Sequence, residues 1–150
     1  MYESRHYDYP DNFSMLDIDC IELDQFHNVC AVVECKFFGE RFGDKQKKSL
    51  MSIADNQFKK PVPFFVLWHN EDMSKVKVTA MNNVAKLYGS ATNEEEWVKI
   101  LYRVRHLEIP SGDKAKNEAT YRQEMQKNIK QWYDKKLCTE MQIKLKGVKQ

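Results

Sequence analysis

No apolar run in the chain approaches the roughly 18 residues that a membrane-spanning helix needs. The opening residues, "MYESRHYDYPDNF", are polar, aromatic and acidic. Neither a signal peptide nor a membrane anchor fits that pattern, and a cytoplasmic protein with no membrane partner is the expectation. Cysteine is scarce: Cys20, Cys30, Cys35 and Cys138 show no C-x-x-C spacing and no histidine pattern beside them. That argues against zinc, and the four are expected to be reduced, mostly buried small hydrophobes. Internal repeats, low-complexity segments and helicase, methylase or P-loop motifs are also lacking, and the net charge of +2 says little about partners.

What is present is enough apolar material for one domain. With 150 residues, 42% of them hydrophobic, the chain can bury a core without disulfides or a structural metal. Its charge is unevenly spread. Residues 1–40 carry nine acids against Arg5 and Lys36, residues 41–60 carry six basic residues against two acids, and residues 111–150 carry ten against five. An acidic focus flanked by basic segments suits a metal site acting on a polyanion, if the fold brings them together. Solvated helix faces are the plainer reading of either lysine-rich segment alone.

The apolar patterning predicts a mixed α/β domain. Residues 1–14 read as an irregular or short helical lead-in. Residues 16–24 and 29–38 are rich in Ile, Val, Leu, Phe and Cys and flank the turn "QFHN", which predicts a β-hairpin. Leu50, Ile53, Ala54 and Phe58 then recur at helical spacing, with Asp44 placed to cap the start. "PVPFFVLWHN" reads as a strand buried on both faces and "KVKVTAMN" as a half-exposed strand nearer the sheet edge. A short helix at "NVAKLYG" follows, and then a helix capped by Thr92 or Asn93 with the stripe Trp97, Ile100, Leu101 and Val104. After the loop "EIPSGDKAKN" comes an amphipathic helix of about 20 residues. The tail "MQIKLKGV" alternates weakly, as a terminal strand would. The expected organisation is a single domain over residues 1–150, with a core at about 5–105 and a helical extension at about 111–150.

The hairpin is unusual for its charges. With the turn centred between Phe26 and His27, Asp19 faces Glu34 and Asp17 faces Lys36, and all four side chains project from one face. Ile18, Cys20, Val33, Cys35 and Phe37 fall on the other. Converging carboxylates repel one another and resist burial, so they call for a cation. Mg²⁺ or Mn²⁺ is the natural one, since such ions take one or two carboxylates with waters and phosphate. Lys36 beside it can stabilise charge on a phosphate or orient and help deprotonate an attacking water. The alternative is a set of cross-strand ion pairs on a solvated surface.

An aspartate on one strand, then Glu-x-Lys on the next within "VVECKF", then a helix and a buried strand, resembles the PD-(D/E)XK nuclease superfamily. The resemblance covers roughly residues 5–80. It implies a restriction-endonuclease-like mixed β-sheet flanked by helices, and a Mg²⁺-dependent enzyme that hydrolyses phosphodiester bonds in DNA. By position it makes Asp19 and Glu34 metal ligands and Lys36 the catalytic lysine, with the Cys35 backbone carbonyl a further ligand. Asp17 competes with Asp19 for the first acid, the pairing with Glu34 favouring Asp19; neither follows the proline of the literal motif. Through the helix after the motif the resemblance adds Gln46 to the catalytic set, and Lys45 and Lys48 to the residues that meet nucleic acid.

A phage or mobile-element enzyme of recombination, repair or defence is the setting that the resemblance suggests, with a Holliday-junction-resolvase-like endonuclease as the nearest variant. A catalytically silent nucleic-acid-binding or protein-interaction module on the same fold is the rival class. "SRHYDYP" carries Arg5, which either meets nucleic acid or belongs to an aromatic lead-in packed on the core. Tyr121, Met125, Ile129 and Trp132 form a helical stripe that packs either on the core or on a second copy in a homodimer. His69 reads as a loop residue near the sheet's end. "DKK" at Asp134 to Lys136 repeats the bare motif inside a predicted helix and is a decoy.

Overall fold

The computed structural model describes residues 16–148. The lead-in, and with it Arg5, lies outside those residues. Four strands, β1 (Cys20–Leu23), β2 (Val29–Phe37), β3 (Phe64–His69) and β4 (Val76–Ala80), form one sheet in sequential order. β1 and β2 are antiparallel, β2 and β3 parallel, and β3 and β4 antiparallel. The parallel step needs a long crossover, and α1 (Asp44–Asn56) supplies it. Three helices follow: α2 (Asn83–Tyr88), α3 (Glu94–Val104) and α4 (Gly112–Val148). This is a single-domain α/β arrangement, an open mixed sheet with helices on both faces.

Strand alternation sorts the core into two layers. On one face, Val32, Phe64 and Val66 pack against Leu50 and Ala54 of α1, joined by Val62. On the other, Val33, Phe65, Leu67 and Val78 pack against Ala85 of α2 and Trp97, Ile100 and Val104 of α3. Phe65 meets Trp97 edge-on, with ring centres 5.2 Å apart. Full burial of a side chain such as Phe64, Phe65 or Leu50 contributes about 1.5–3 kcal/mol, so both layers are needed to hold the sheet. A polar joint links their ends. Asn82, 1% exposed, accepts the N–H groups of Phe64 and Ala85 at 3.0 Å and donates to the Val62 carbonyl and the Asp55 carboxylate at 2.9 Å.

The hairpin turn is held by Asp24. Its Oδ1 accepts the N–H of Phe26 at 2.8 Å and of Asn28 at 2.9 Å, while His27 takes the left-handed conformation at φ 65°. Arg105, after α3, donates to the Leu23 carbonyl at 3.0 Å and pairs with Glu22. The edge strand is thereby pinned to the helix layer beneath it.

Several expectations are corrected. The first strand is Cys20–Leu23, shorter than residues 16–24, and Ile18 packs in the layer facing α1 rather than on the far face. Before Cys20 the chain has left the pleat, so alternation no longer fixes direction. Gly43, not Asp44, is the N-cap of α1; Asp44 is the first helical residue, where its charge still complements the helix dipole. Only Cys30 is buried, with Cys35 partly so and Cys20 and Cys138 exposed. The "MQIKLKGV" tail is helical: α4 runs 37 residues. Met141, Ile143 and Leu145 are exposed, with no strand beside them among the described residues, and Met, Gln, Lys and Leu are good helix formers that let the helix propagate.

α4 meets the rest of the domain through polar contacts along its first half. Tyr102 donates to Glu118, 2.9 Å from its Oε1. Arg122 lies 3.8 Å from Glu94, and Gln126 donates to the Asp72 carbonyl at 2.6 Å. No helix among the described residues is long and apolar enough to cross a membrane.

Candidate functional site

β2 carries the site because it is central and outlasts its edge neighbour. The ladder pairs Cys20 with Val33, Ile21 with Val32 and Glu22 with Ala31, the register read from the sequence. β1 ends there, but the Asp19 side chain continues its work: Oδ2 accepts the Cys35 N–H at 2.8 Å. Asp19 is thus fixed beside Glu34. Asp17 is exposed and lies outside the strand, and Lys36, which alternation paired with Asp17, is taken by other carboxylates.

Glu34 is the buried centre, 3% exposed. Its Oε1 accepts from Gln46 Nε2 at 2.8 Å and lies 3.5 Å from Lys36 Nζ. Its Oε2 is buried without a hydrogen-bond partner among the described residues. Burial, and then the nearby charge of Asp19, push the Glu34 carboxyl above its ordinary range, against the pull of Lys36. Lys36 is thus the cation beside a buried acid that has an unused oxygen, and Asp19 adds a second negative charge nearby.

Lys36 has further neighbours. Its ammonium is 3.7 Å from Glu40 Oε1 and 5.7 Å from the centre of the Phe42 ring. Glu40 is itself held, its Oε2 accepting the Phe37 N–H at 2.9 Å. Lys47 reaches the same ring, at 5.5 Å.

Of the residues named from sequence, Asp19, Glu34, Lys36 and Gln46 are brought together. Lys45 and Lys48 are exposed at the start of α1, and Lys47 is the lysine of that helix that approaches the site. The Cys35 side chain packs on the opposite face, where burial foremost, then Cys20, push its thiol up to about 12. It is no thiolate at neutral pH, so its backbone carbonyl is the ligand it can offer. His69, the last residue of β3, packs at a tilt against Phe37 with ring centres 4.6 Å apart. The "DKK" decoy lies on exposed α4.

Sequence reasoning missed Glu40 and Phe42. In a continuing strand Glu40 would lie about 13 Å from Lys36. The tight turn at Gly39, with φ 84°, folds it back. A glycine two residues after a strand, followed by an acid, was the available signal.

Among the described residues no group of three or more His, Cys, Asp and Glu side chains converges. The side chains that could hold a divalent cation here are the Asp19 and Glu34 carboxylates, and one or two carboxylates is the number that Mg²⁺ commonly takes. The unpartnered Glu34 Oε2 is the observation that a hard cation would account for. No protein-family model matches this chain, and neither does any curated protein or solved structure compared with it.

Proposed function

We propose that this chain is a Mg²⁺- or Mn²⁺-dependent nuclease of the PD-(D/E)XK kind, hydrolysing phosphodiester bonds in DNA. The observation that carries the reading is Glu34: a buried acid with one unpartnered oxygen, beside Asp19 and Lys36. The contacts with Lys36 and Gln46 engage Oε1 and leave Oε2 for a further cation, and an unmet buried acceptor costs about 1–3 kcal/mol.

Asp19 and Glu34 would hold the divalent ion, with the Cys35 carbonyl as a third donor. When bound, such an ion stabilises negative charge on the phosphate and acidifies a water molecule. Gln46 fixes the Glu34 carboxylate through Oε1, leaving Oε2 for the ion. Lys36 stands where it can orient the water that attacks phosphorus and offset the charge that gathers on the non-bridging oxygens as the P–O bond to the leaving group breaks. The basic start of α1, with Lys45, Lys47 and Lys48, gives the DNA backbone a positive approach. The exposed apolar side chains of α4 offer a surface for a second copy.

The test is incubation with linear, supercoiled, single-stranded and four-way-junction DNA in Mg²⁺, Mn²⁺ or EDTA. Cleavage in metal and none in EDTA is expected, with Glu34→Gln and Lys36→Ala slower by about 100-fold or more. Silence on every substrate, or equal cutting by the variants, contradicts the reading.

A further inference from the structure

We propose that Glu40 is a positioning residue that retains Lys36 at the site once a divalent ion engages Glu34. The inference rests on the metal-site reading above. Lys36 Nζ lies between two carboxylates, 3.5 Å from Glu34 Oε1 and 3.7 Å from Glu40 Oε1. The two partners differ in what else they must do. Glu34 is buried and faces Asp19, whereas Glu40 is partly exposed and is locked by a reciprocal pair of bonds with Phe37. Its Oε2 accepts the Phe37 N–H at 2.9 Å, and its own N–H donates to the Phe37 carbonyl at 3.0 Å.

With a divalent ion on Glu34, Lys36 faces like charge across that carboxylate, and the Glu34 half of its clamp weakens. The Glu40 half does not, because Glu40 is anchored to the backbone of β2 and donates nothing to the metal pair. Without Glu40, the flexible four-carbon stem of Lys36 is free to carry the ammonium toward water. With it, Lys36 stays over Phe42, beside the place where phosphate charge would develop. Glu40 is a half-exposed partner, so it is expected to matter for where Lys36 sits and little for folding.

Full-length ¹⁵N-labelled wild type and Glu40→Gln decide this. The glutamine keeps an acceptor for the Phe37 N–H and removes the charge. Mg²⁺ binding is measured by calorimetry, and the Lys36 ammonium is followed by its ¹H–¹⁵N signal with and without saturating Mg²⁺. The expected result is Mg²⁺ affinity within about 3-fold in both proteins, and a Lys36 signal that survives Mg²⁺ in wild type and exchanges away in Glu40→Gln. Single-turnover cutting of linear DNA is expected to slow by roughly 10- to 100-fold at saturation, with half-saturation unchanged. A signal that persists equally in both Mg²⁺-bound proteins, or a defect confined to DNA affinity, overturns the role of Glu40 while the metal site stands. Absence of Mg²⁺ binding by wild type overturns both.

Discussion

Asp19 Oδ2 accepts the Cys35 N–H at 2.8 Å, so the first acid of the site is bonded to the strand that carries Glu34 and Lys36. The contact takes over where the β1 ladder ends. Its geometry and its charge are separable. Asp19→Asn keeps an acceptor for that N–H, while Asp19→Ala does not. Amide hydrogen exchange at Cys35 is expected to speed up in the alanine variant and stay near wild type in the asparagine one, with a stability cost of about 0.5–1.5 kcal/mol for alanine. Mg²⁺ binding is expected to weaken in both.

Glu34 gives a pH signature. Burial first, and Asp19 second, raise its carboxyl above the ordinary value of 4.5, so the fold favours the protonated acid. That favourable contribution is complete below the ordinary value and is lost as pH rises through the raised one. Glu34→Gln stays neutral throughout. In metal-free buffer the melting temperature of wild type is therefore expected to fall relative to Glu34→Gln as pH rises from the ordinary value of 4.5 through the raised one, and Mg²⁺ is expected to recover the loss in wild type alone. A constant offset across that range contradicts the assignment.

Asn82 is the polar joint of the two core layers, satisfied on both its oxygen and its nitrogen. Asn82→Ala strands the Phe64 N–H and the Val62 carbonyl in a buried place and uncaps α2. A loss of about 2–4 kcal/mol in urea unfolding is expected, with a loss under 0.5 kcal/mol speaking against the joint.

Arg105 holds the edge strand through the Leu23 carbonyl and Glu22. Arg105→Ala is expected to cost about 1–3 kcal/mol and to raise hydrogen exchange selectively in β1. Uniform exchange across the sheet would show that the contact is not local.

The strands and the pairing of Cys20 with Val33 beside the site were legible because both follow from period-two alternation. Val32 and Val33, Phe64 and Phe65 face opposite layers, and the hairpin register holds as far as Cys20 and Val33; Asp19, one residue beyond that ladder, reaches β2 through the Cys35 N–H instead. What was not legible came from places where alternation stops. Ile18 precedes the pleat and turns to the α1 side. Glu40 returns to Lys36 only through the left-handed Gly39. The α4 tail alternates like a strand, yet a strand needs a neighbour for its backbone groups, and a helix meets them internally. Lys47 rather than Lys45 or Lys48 approaches the site because a helix turns about 100° per residue, so single steps along α1 change the face.

Isothermal titration of the metal-free protein with Mg²⁺ and Mn²⁺, wild type against Glu34→Gln, tests the central claim most directly. One divalent ion bound per chain by wild type and none by Glu34→Gln, with the fold of both intact by circular dichroism, is the predicted result. No binding by wild type, or equal binding by both, would mean that the acids of the hairpin serve as ion pairs and that the metal-dependent reading is wrong.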